Sequence, residues 1–254
     1  KYGRAVLAAS VISALVTLLV YIHALGNGFV ALDDWEYVYQ NPFIRHLDPA
    51  FFRSVFTEAH VYNWHPLTMI SYGVDYGLWG LDPFWYHAEN VLFHSLNTLL
   101  AGLLGARLVK SYLENKGAKA QPSSLFFTAL VTALLFGLHP IHVESVAWIS
   151  ERKDVLFTFF FFLSLLTYIS YAEAKGAKAP YYIASIFFFA LSIMSKPMAV
   201  TLPLILIIID LCPLERTIGL RRSITEKIPF FILSGLSGLL TIWAQSAGGA
   251  ISTL

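Results

Sequence analysis

Residues 5–25 contain no Asp, Glu, Lys or Arg, and this run constrains the fold more than any other feature of the chain. A helix of about 21 residues is roughly 31 Å long, which matches the hydrocarbon core of a bilayer. The composition agrees, because 57% of the 254 residues are hydrophobic, only 13% are charged and the mean hydropathy is +0.63. We therefore expect an integral membrane protein. The net charge is only +1, and the sequence has no basic patch of the size that nucleic-acid binding needs.

Seven apolar runs indicate the spans of a single transmembrane domain, residues 1–254. They are residues 5–25, 84–109, 123–138, 155–172, 180–194, 198–211 and 228–244. Several have only about 14 to 17 residues, fewer than the roughly 20 that a crossing needs, so the topology depends on the basic residues. With the amino terminus inside, most of the 17 Lys and Arg face the cytoplasm, as the positive-inside rule expects. All eight histidines and most of the acids then lie on the outer side.

The first predicted outer loop follows the first span and starts with an acidic pair, Asp33 and Asp34. Carboxylates at the mouth of a membrane-embedded cavity are costly to desolvate, so they indicate a functional site, although one of them can simply cap a short helix. Later in this loop, Asp48-Pro49 and His65-Pro66 predict two helix starts. Neither helix is long enough to span, so both are predicted to lie at the membrane interface.

The second predicted outer loop contains the run Glu151-Arg152-Lys153-Asp154, which enters the fourth span. Arg152 and Lys153 can bind a phosphate, or they can anchor the span at the interface. Lys196, between the fifth and sixth spans, can bind a lipid headgroup or extend to the surface.

Histidines on the outer side give three further features. His139, His142 and Glu144 have a loose metal-ligand spacing, which helix capping explains equally well. His94 lies on one helix face with two asparagines and is expected to point into the bundle or a cavity. The lone Cys212 excludes an internal disulfide and a cysteine-based metal cluster.

Four segments together resemble bacterial relatives of the transmembrane and tetratricopeptide-repeat O-mannosyltransferases: residues 29–41, 64–68, 139–156 and 195–198. This resemblance implies an all-α polytopic membrane protein with the glycosyltransferase-C fold. It also implies a polyprenyl-phosphate-linked sugar as donor and a protein hydroxyl as acceptor, on the outer face of the bacterial inner membrane. In that superfamily a first-loop carboxylate is the catalytic base or orients the acceptor, which Asp33 matches with Asp34 beside it, and the resemblance leaves open which of the two is the base. A later arginine contacts the lipid phosphate, which Arg152 matches. The family's tetratricopeptide helices would lie beyond residue 254.

The sequence thus predicts a membrane glycosyltransferase, most simply a mannosyltransferase, with no cofactor and no assigned metal, although a divalent ion stays an open alternative. Its expected partners are the lipid-linked sugar, the protein acceptor and membrane lipids. The predicted roles are catalysis by Asp33 with Asp34 and Glu144, phosphate binding by Arg152, Lys153 and Lys196, and acceptor or pocket contacts by His65, His94, His139 and His142. Two alternatives are a transporter or assembly subunit that binds a lipid-linked substrate, and a structural membrane scaffold.

Overall fold

The computed structural model describes residues 2–216 and 218–247, and it is all-α over these residues. The α-helices are α1 (Tyr2–Tyr21), α2 (Pro49–Thr57), α3 (Pro66–Trp79), α4 (Pro83–Asn115), α5 (Pro122–Gly137), α6 (His142–Ala147), α7 (Arg152–Glu173), α8 (Ala179–Ser195), α9 (Leu202–Leu211), α10 (Leu220–Thr225) and α11 (Ile228–Ala247). Short 3-10 or π-helical turns connect several of them. The predicted class, an all-α polytopic membrane protein, is confirmed.

Within the described ranges, four helical segments are long and apolar enough to cross a membrane. They are Gly3–Gly26, Pro83–Asn115, Ile149–Glu173 and Ile228–Ala247. Three shorter apolar helices occupy the other predicted runs: Pro122–Gly137, Ala179–Ser195 and Pro197–Leu211. The number of complete spans stays a prediction, as does the glycosyltransferase-C arrangement.

Proline and aspartate fix where the helices of the first loop begin. The Asp48 carboxylate accepts a hydrogen bond from the Phe51 backbone N–H at 2.8 Å, and Pro49 is the first residue of α2. Pro66 is likewise the first residue of α3, directly after His65. Both helix starts confirm the prediction from sequence, because proline has no N–H to leave unpaired at this position and its φ angle suits a helix.

Side-chain contacts group the connecting segments at two ends of the bundle. At one end Thr68 donates to the Ser195 carbonyl at 3.0 Å. We call this the loop end, which comprises residues 27–82, 138–151 and Lys196. At the other, Lys116 lies 2.6 Å from Glu215. We call this the hairpin end, which comprises residues 116–121, 174–178, 212–216 and 218–227.

The first loop has a hydrophobic core of its own beside the helix bundle. Its buried members are Tyr37, Val38, Ile44, Phe51, Val55, Met69, Tyr72, Tyr86 and Ile149. Tyr86 comes from α4 and Ile149 from the segment before α7, so this core attaches the loop to the bundle. Burial of such side chains is the dominant stabilising contribution, and it holds the loop in one position over the ends of α4 and α7.

Gly137 allows close packing of α5 against α1 and α4. A Cβ added at Gly137 would collide with side-chain atoms of Thr17 and Thr98, so α5 can approach α1 and α4 here only without a side chain. The approach places the Gly137 carbonyl 2.9 Å from His94 Nε2, which donates to it.

Candidate active site

The two adjacent aspartates of the first loop have different surroundings. Asp34 is fully buried. Its Oδ2 accepts from the Val30 N–H at 2.9 Å, and its Oδ1 accepts from the Ser150 N–H at 2.9 Å and from the Ser150 hydroxyl. Asp33, in contrast, has a side chain that is 47% exposed. Asp34 therefore joins the first loop to the segment before α7, while the Asp33 carboxylate stays open to a ligand.

Arg152 lies in a buried ion-pair network and not on the surface of the loop end. Its Nη1 is 2.5 Å from both Asp75 Oδ2 and Glu89 Oε2. Its Nε donates to Asn90 Oδ1 at 3.1 Å, and its Nη2 donates to the Tyr86 carbonyl at 2.9 Å. The side chain is 0% exposed, so in this arrangement the guanidinium holds the start of α7 against α3 and α4.

Further hydrogen bonds fix Trp148 and Ile149, which lie between the end of α6 and Ser150. The Trp148 carbonyl accepts from Asn90 at 3.0 Å, and the Ile149 carbonyl accepts from the buried Tyr72 hydroxyl at 3.0 Å. Successive residues of this segment are thus held by different elements. The side chains that follow it are positioned by a rigid backbone, as a preorganised site requires.

Lys153 is the cation nearest to Asp33. Its Nζ is 4.0 Å from Asp33 Oδ2 and 3.0 Å from Glu151 Oε1, and it lies 5.2 Å from the centre of the Tyr37 ring. The side chain is only 10% exposed, so its charge is weakly screened by solvent.

Lys196 extends the same group of charges toward the helix bundle. Its Nζ contacts Asp154 Oδ1 closely and lies 3.4 Å from Glu151 Oε2. The Ser145 hydroxyl donates to the second Asp154 oxygen at 3.0 Å. We call the connected set Asp33, Glu151, Lys153, Asp154 and Lys196 the mixed-charge cluster. It holds three carboxylates and two ammonium groups.

His65 lies near the two lysines of the mixed-charge cluster, but its own side chain is uncharged. It is 6% exposed, and the same end of α3 is joined to Ser195, the neighbour of Lys196. Burial, Lys153 and Lys196 lower the pKa of its imidazole to about 3, against a weaker opposing effect of Asp154. His65 is therefore neutral at physiological pH.

A cavity of about 310 Å³ begins beside the mixed-charge cluster and runs between α4, α5 and α7. Its lining is His94, Asn97, Phe136, Ile141, His142, Ser145, Asp154, Val155, Phe157, Thr158 and Met198. We call it the lipid-side cavity, because apolar atoms form most of its wall area, although six of the eleven lining residues carry a polar group, and Asp154 marks the end shared with the cluster. His94 and His142, predicted from sequence to line a pocket, both contribute to this wall, with ring centres 5.4 Å apart.

His139 and Glu144 lie at the surface around this cavity. Both are exposed, and His139 Nδ1 accepts from the Ile141 N–H at 3.2 Å. Burial and the neighbouring His139 lower the pKa of His142. Over residues 2–216 and 218–247, no group of three or more His, Cys, Asp or Glu side chains is arranged to hold a metal ion.

Sequence reasoning did not assign a site role to Glu151 or Asp154, although both lie in the charged run that was singled out. The signal was their spacing of three, which places the two carboxylates on one side of the start of α7. It also missed Asp75 and Glu89, because nothing in the local sequence shows that a distant arginine lies between them.

Comparison with known proteins finds similarity over about two thirds of the chain. The chain is 35% identical to protein O-mannosyl-transferase TMTC1 of Mus musculus over 170 residues. This alignment covers 63% of this chain and 16% of that protein. The chain is 33% identical over 177 residues to human TMTC1, which is 65% of this chain and 18% of that protein. With protein O-mannosyl-transferase tmtc2 of Xenopus laevis it is 31% identical over 183 residues, or 66% of this chain and 19% of that protein.

These matches leave most of each relative uncovered, since the chain spans less than a fifth of the length of any of the three. No protein-family profile matches the chain. No solved structure matches it either. The agreement in sequence with several such proteins, together with the membrane helices, makes the chain a relative of the TMTC protein O-mannosyl-transferases.

Proposed function

We propose that the chain is a membrane glycosyltransferase that moves a sugar, mannose, from a polyprenyl phosphate to a protein hydroxyl. The names of its relatives support the reaction class. The observation that carries the proposal is a half-exposed carboxylate, Asp33, beside Lys153 in a charged cluster that opens into an apolar-walled cavity. We place the loop end on the outer, periplasmic face of a bacterial inner membrane, because most Lys and Arg then lie inside.

Asp33 is assigned as the base that accepts the proton of the acceptor hydroxyl. As it loses its proton, the oxygen of the acceptor hydroxyl attacks the anomeric carbon of the sugar. The bond between that carbon and the phosphate oxygen breaks. The bonding electron pair stays on the phosphate, whose charge changes from one negative to two. Asp34 supports this step indirectly, because its bonds to Val30 and Ser150 hold the turn that carries Asp33.

Lys153 and Lys196 are assigned to the donor phosphate, where a second negative charge develops during the reaction. Preorganised cations in a poorly solvated site stabilise such charge more in the transition state than in the ground state. Arg152 is assigned a positioning role in place of phosphate contact, because its side chain is buried and its donors are occupied. It acts by holding the start of α7, from which Lys153 extends.

The carboxylates of the cluster fit a sugar phosphate better than an inorganic phosphate. Glu151 and Asp154 already pair with the two lysines, so a bare phosphate would have to compete with them. Sugar hydroxyl groups can donate to those carboxylates while the phosphate takes the ammonium groups. We assign the first prenyl units to the lipid-side cavity, with His94 and His142 in its wall, and leave Glu144 and His139 at its rim for the acceptor protein.

The test is sugar transfer in proteoliposomes, with short-chain polyprenyl-phosphate mannose as donor and a Ser/Thr-containing peptide as acceptor. Asp33→Asn should lower the rate by about 10²–10⁴-fold, the usual contribution of a general base. The matched control is Glu36→Gln, an exposed acid of the same loop, which should leave the rate unchanged. Full activity of a folded Asp33→Asn variant would remove Asp33 from this role.

A second candidate function follows from the polar groups inside the lipid-side cavity. Asn97 and His94 reach it from α4 within the membrane-spanning segment, as the wall of a transport pathway would require. Lipid extraction separates the two functions. A co-purifying polyprenyl phosphate supports the transferase, whereas solute flux in vesicles without such a lipid supports transport or a binding subunit.

A further inference from the structure

His65 is a buried histidine whose hydrogen-bonding capacity is unused. In the part of the chain that the structure describes, neither ring nitrogen makes a hydrogen bond with another residue, and Nδ1 is completely enclosed. Buried polar groups nearly always have a partner, and an unpaired one costs free energy. Because Nδ1 is enclosed by protein, Nε2 is the unpaired nitrogen that a ligand can reach.

The charged groups around the ring indicate the kind of ligand that it can bind. His65 precedes Pro66 at the start of α3, and Thr68 joins this start to Ser195. Three charged groups act on the imidazole: Lys153 from α7, Lys196 from the segment after α8, and Asp154 from α7. A cationic imidazole would be repelled by both lysines, whereas a neutral one can lie beside them.

We propose that His65 is a phosphate-binding residue of the donor site, whose neutral imidazole donates a hydrogen bond from Nε2–H to the phosphate that Lys153 and Lys196 bind. This proposal rests on the proposed function and adds a third, uncharged donor to it. The imidazole does not give up its proton, because the leaving phosphate departs as the dianion and the acceptor's proton resides on Asp33. No bond to His65 forms or breaks.

An uncharged donor has a specific use at this place. A third cation would attract Glu151 and Asp154 more strongly when the site is empty, and it would raise the cost of desolvating the cluster. A neutral N–H adds little to the empty site, yet it strengthens as the phosphate becomes doubly charged. Its contribution should therefore appear in kcat rather than in KM.

The experiment compares His65→Leu, His65→Asn and His65→Gln in the proteoliposome assay, over pH 6 to 8. Leucine has a similar volume and no donor, while the two amides keep an N–H. We expect kcat of His65→Leu to fall on the order of 10²-fold, with KM changed less than about threefold, as for loss of one preorganised donor. At least one amide should regain about tenfold, and the pH profile should keep its wild-type shape in every variant. His46→Leu, an exposed histidine of the same loop, is the matched control.

Binding gives a second readout that does not depend on turnover. His65→Leu should weaken the affinity for farnesyl phosphate, a product-like dianion, by about tenfold, which corresponds to one lost hydrogen bond to a charged group. Wild-type affinity and kcat in His65→Leu would overturn the proposal, and so would equal losses in the leucine and amide variants with a lower melting temperature. A wild-type protein that binds farnesyl phosphate through His65 but transfers no sugar would overturn the proposed function alone.

Discussion

Replacement of Arg152 by methionine should destabilise the protein strongly, because the change leaves the buried Asp75 and the partly buried Glu89 without a counter-ion. Removing one partner of a buried ion pair costs about 3–5 kcal/mol. The lost bonds to the Asn90 side chain and the Tyr86 carbonyl add about 1 kcal/mol each. We therefore expect the free energy of unfolding to fall by about 5 kcal/mol or more.

The assay is reversible unfolding in mixed micelles, monitored by tryptophan fluorescence and circular dichroism. The matched control is Arg107→Met at the hairpin end. Arg107 pairs with Glu173 at 2.8 Å, but the two side chains are 32% and 37% exposed. Exposed pairs contribute about 0–1 kcal/mol, so this variant should change stability little.

A triple variant distinguishes an uncompensated charge from a lost contact. Arg152→Met combined with Asp75→Asn and Glu89→Gln removes the guanidinium and both carboxylates. It should recover most of the stability that the single variant loses, since neutral groups of similar shape are far cheaper to bury. The reasoning is refuted if Arg152→Met unfolds within about 1 kcal/mol of wild type and loses only affinity for farnesyl phosphate, the result expected of a direct phosphate ligand.

Three further changes probe the loop end. Asp34→Asn should lower the free energy of unfolding by about 1–3 kcal/mol, because an amide cannot accept all the bonds that this carboxylate accepts; chemical denaturation measures it. Glu151→Gln should tighten farnesyl phosphate binding in titration calorimetry, because it removes the carboxylate that competes for both lysines. His65 should protonate in the unfolded chain near pH 6.5 but stay neutral in the folded protein down to about pH 3. From pH 7.5 to 4.5 the wild type should thus lose about 2–3 kcal/mol more stability than His65→Asn in parallel unfolding curves.

Local sequence signals predicted the parts of the fold that depend on local chemistry. Proline after a polar residue marked the starts of α2 and α3, and uncharged runs marked the long apolar helices. These signals suffice because a helix start needs only the few residues around it. Counting charges between apolar runs assigned most Lys and Arg to one side of the membrane and most acids to the other, and this sidedness stays a prediction.

The use of each charged residue could not be predicted in the same way. Arg152 and Lys153 are neighbours with similar chemistry, yet one is enclosed by α3 and α4 while the other extends toward Asp33. Successive residues of a helix point about 100° apart, so adjacent cations at a helix start must face different surroundings. Which of the two meets a carboxylate depends on Asp75 and Glu89, whose positions are set by tertiary packing.

The acidic pair shows the same rule at the other side of the candidate site, where the two carboxylates have different surroundings. Asp33 and Asp34 are consecutive residues of one helical turn, so both cannot face the same partner. The bonds of Asp34 to Val30 and Ser150 fix the rotation of this turn, and that rotation directs Asp33 toward Lys153. The buried member should therefore control the rate through geometry. We expect that Asp34 cannot take over the role proposed for Asp33 in an Asp33→Asn variant, because an open Asp34 would leave the turn unattached.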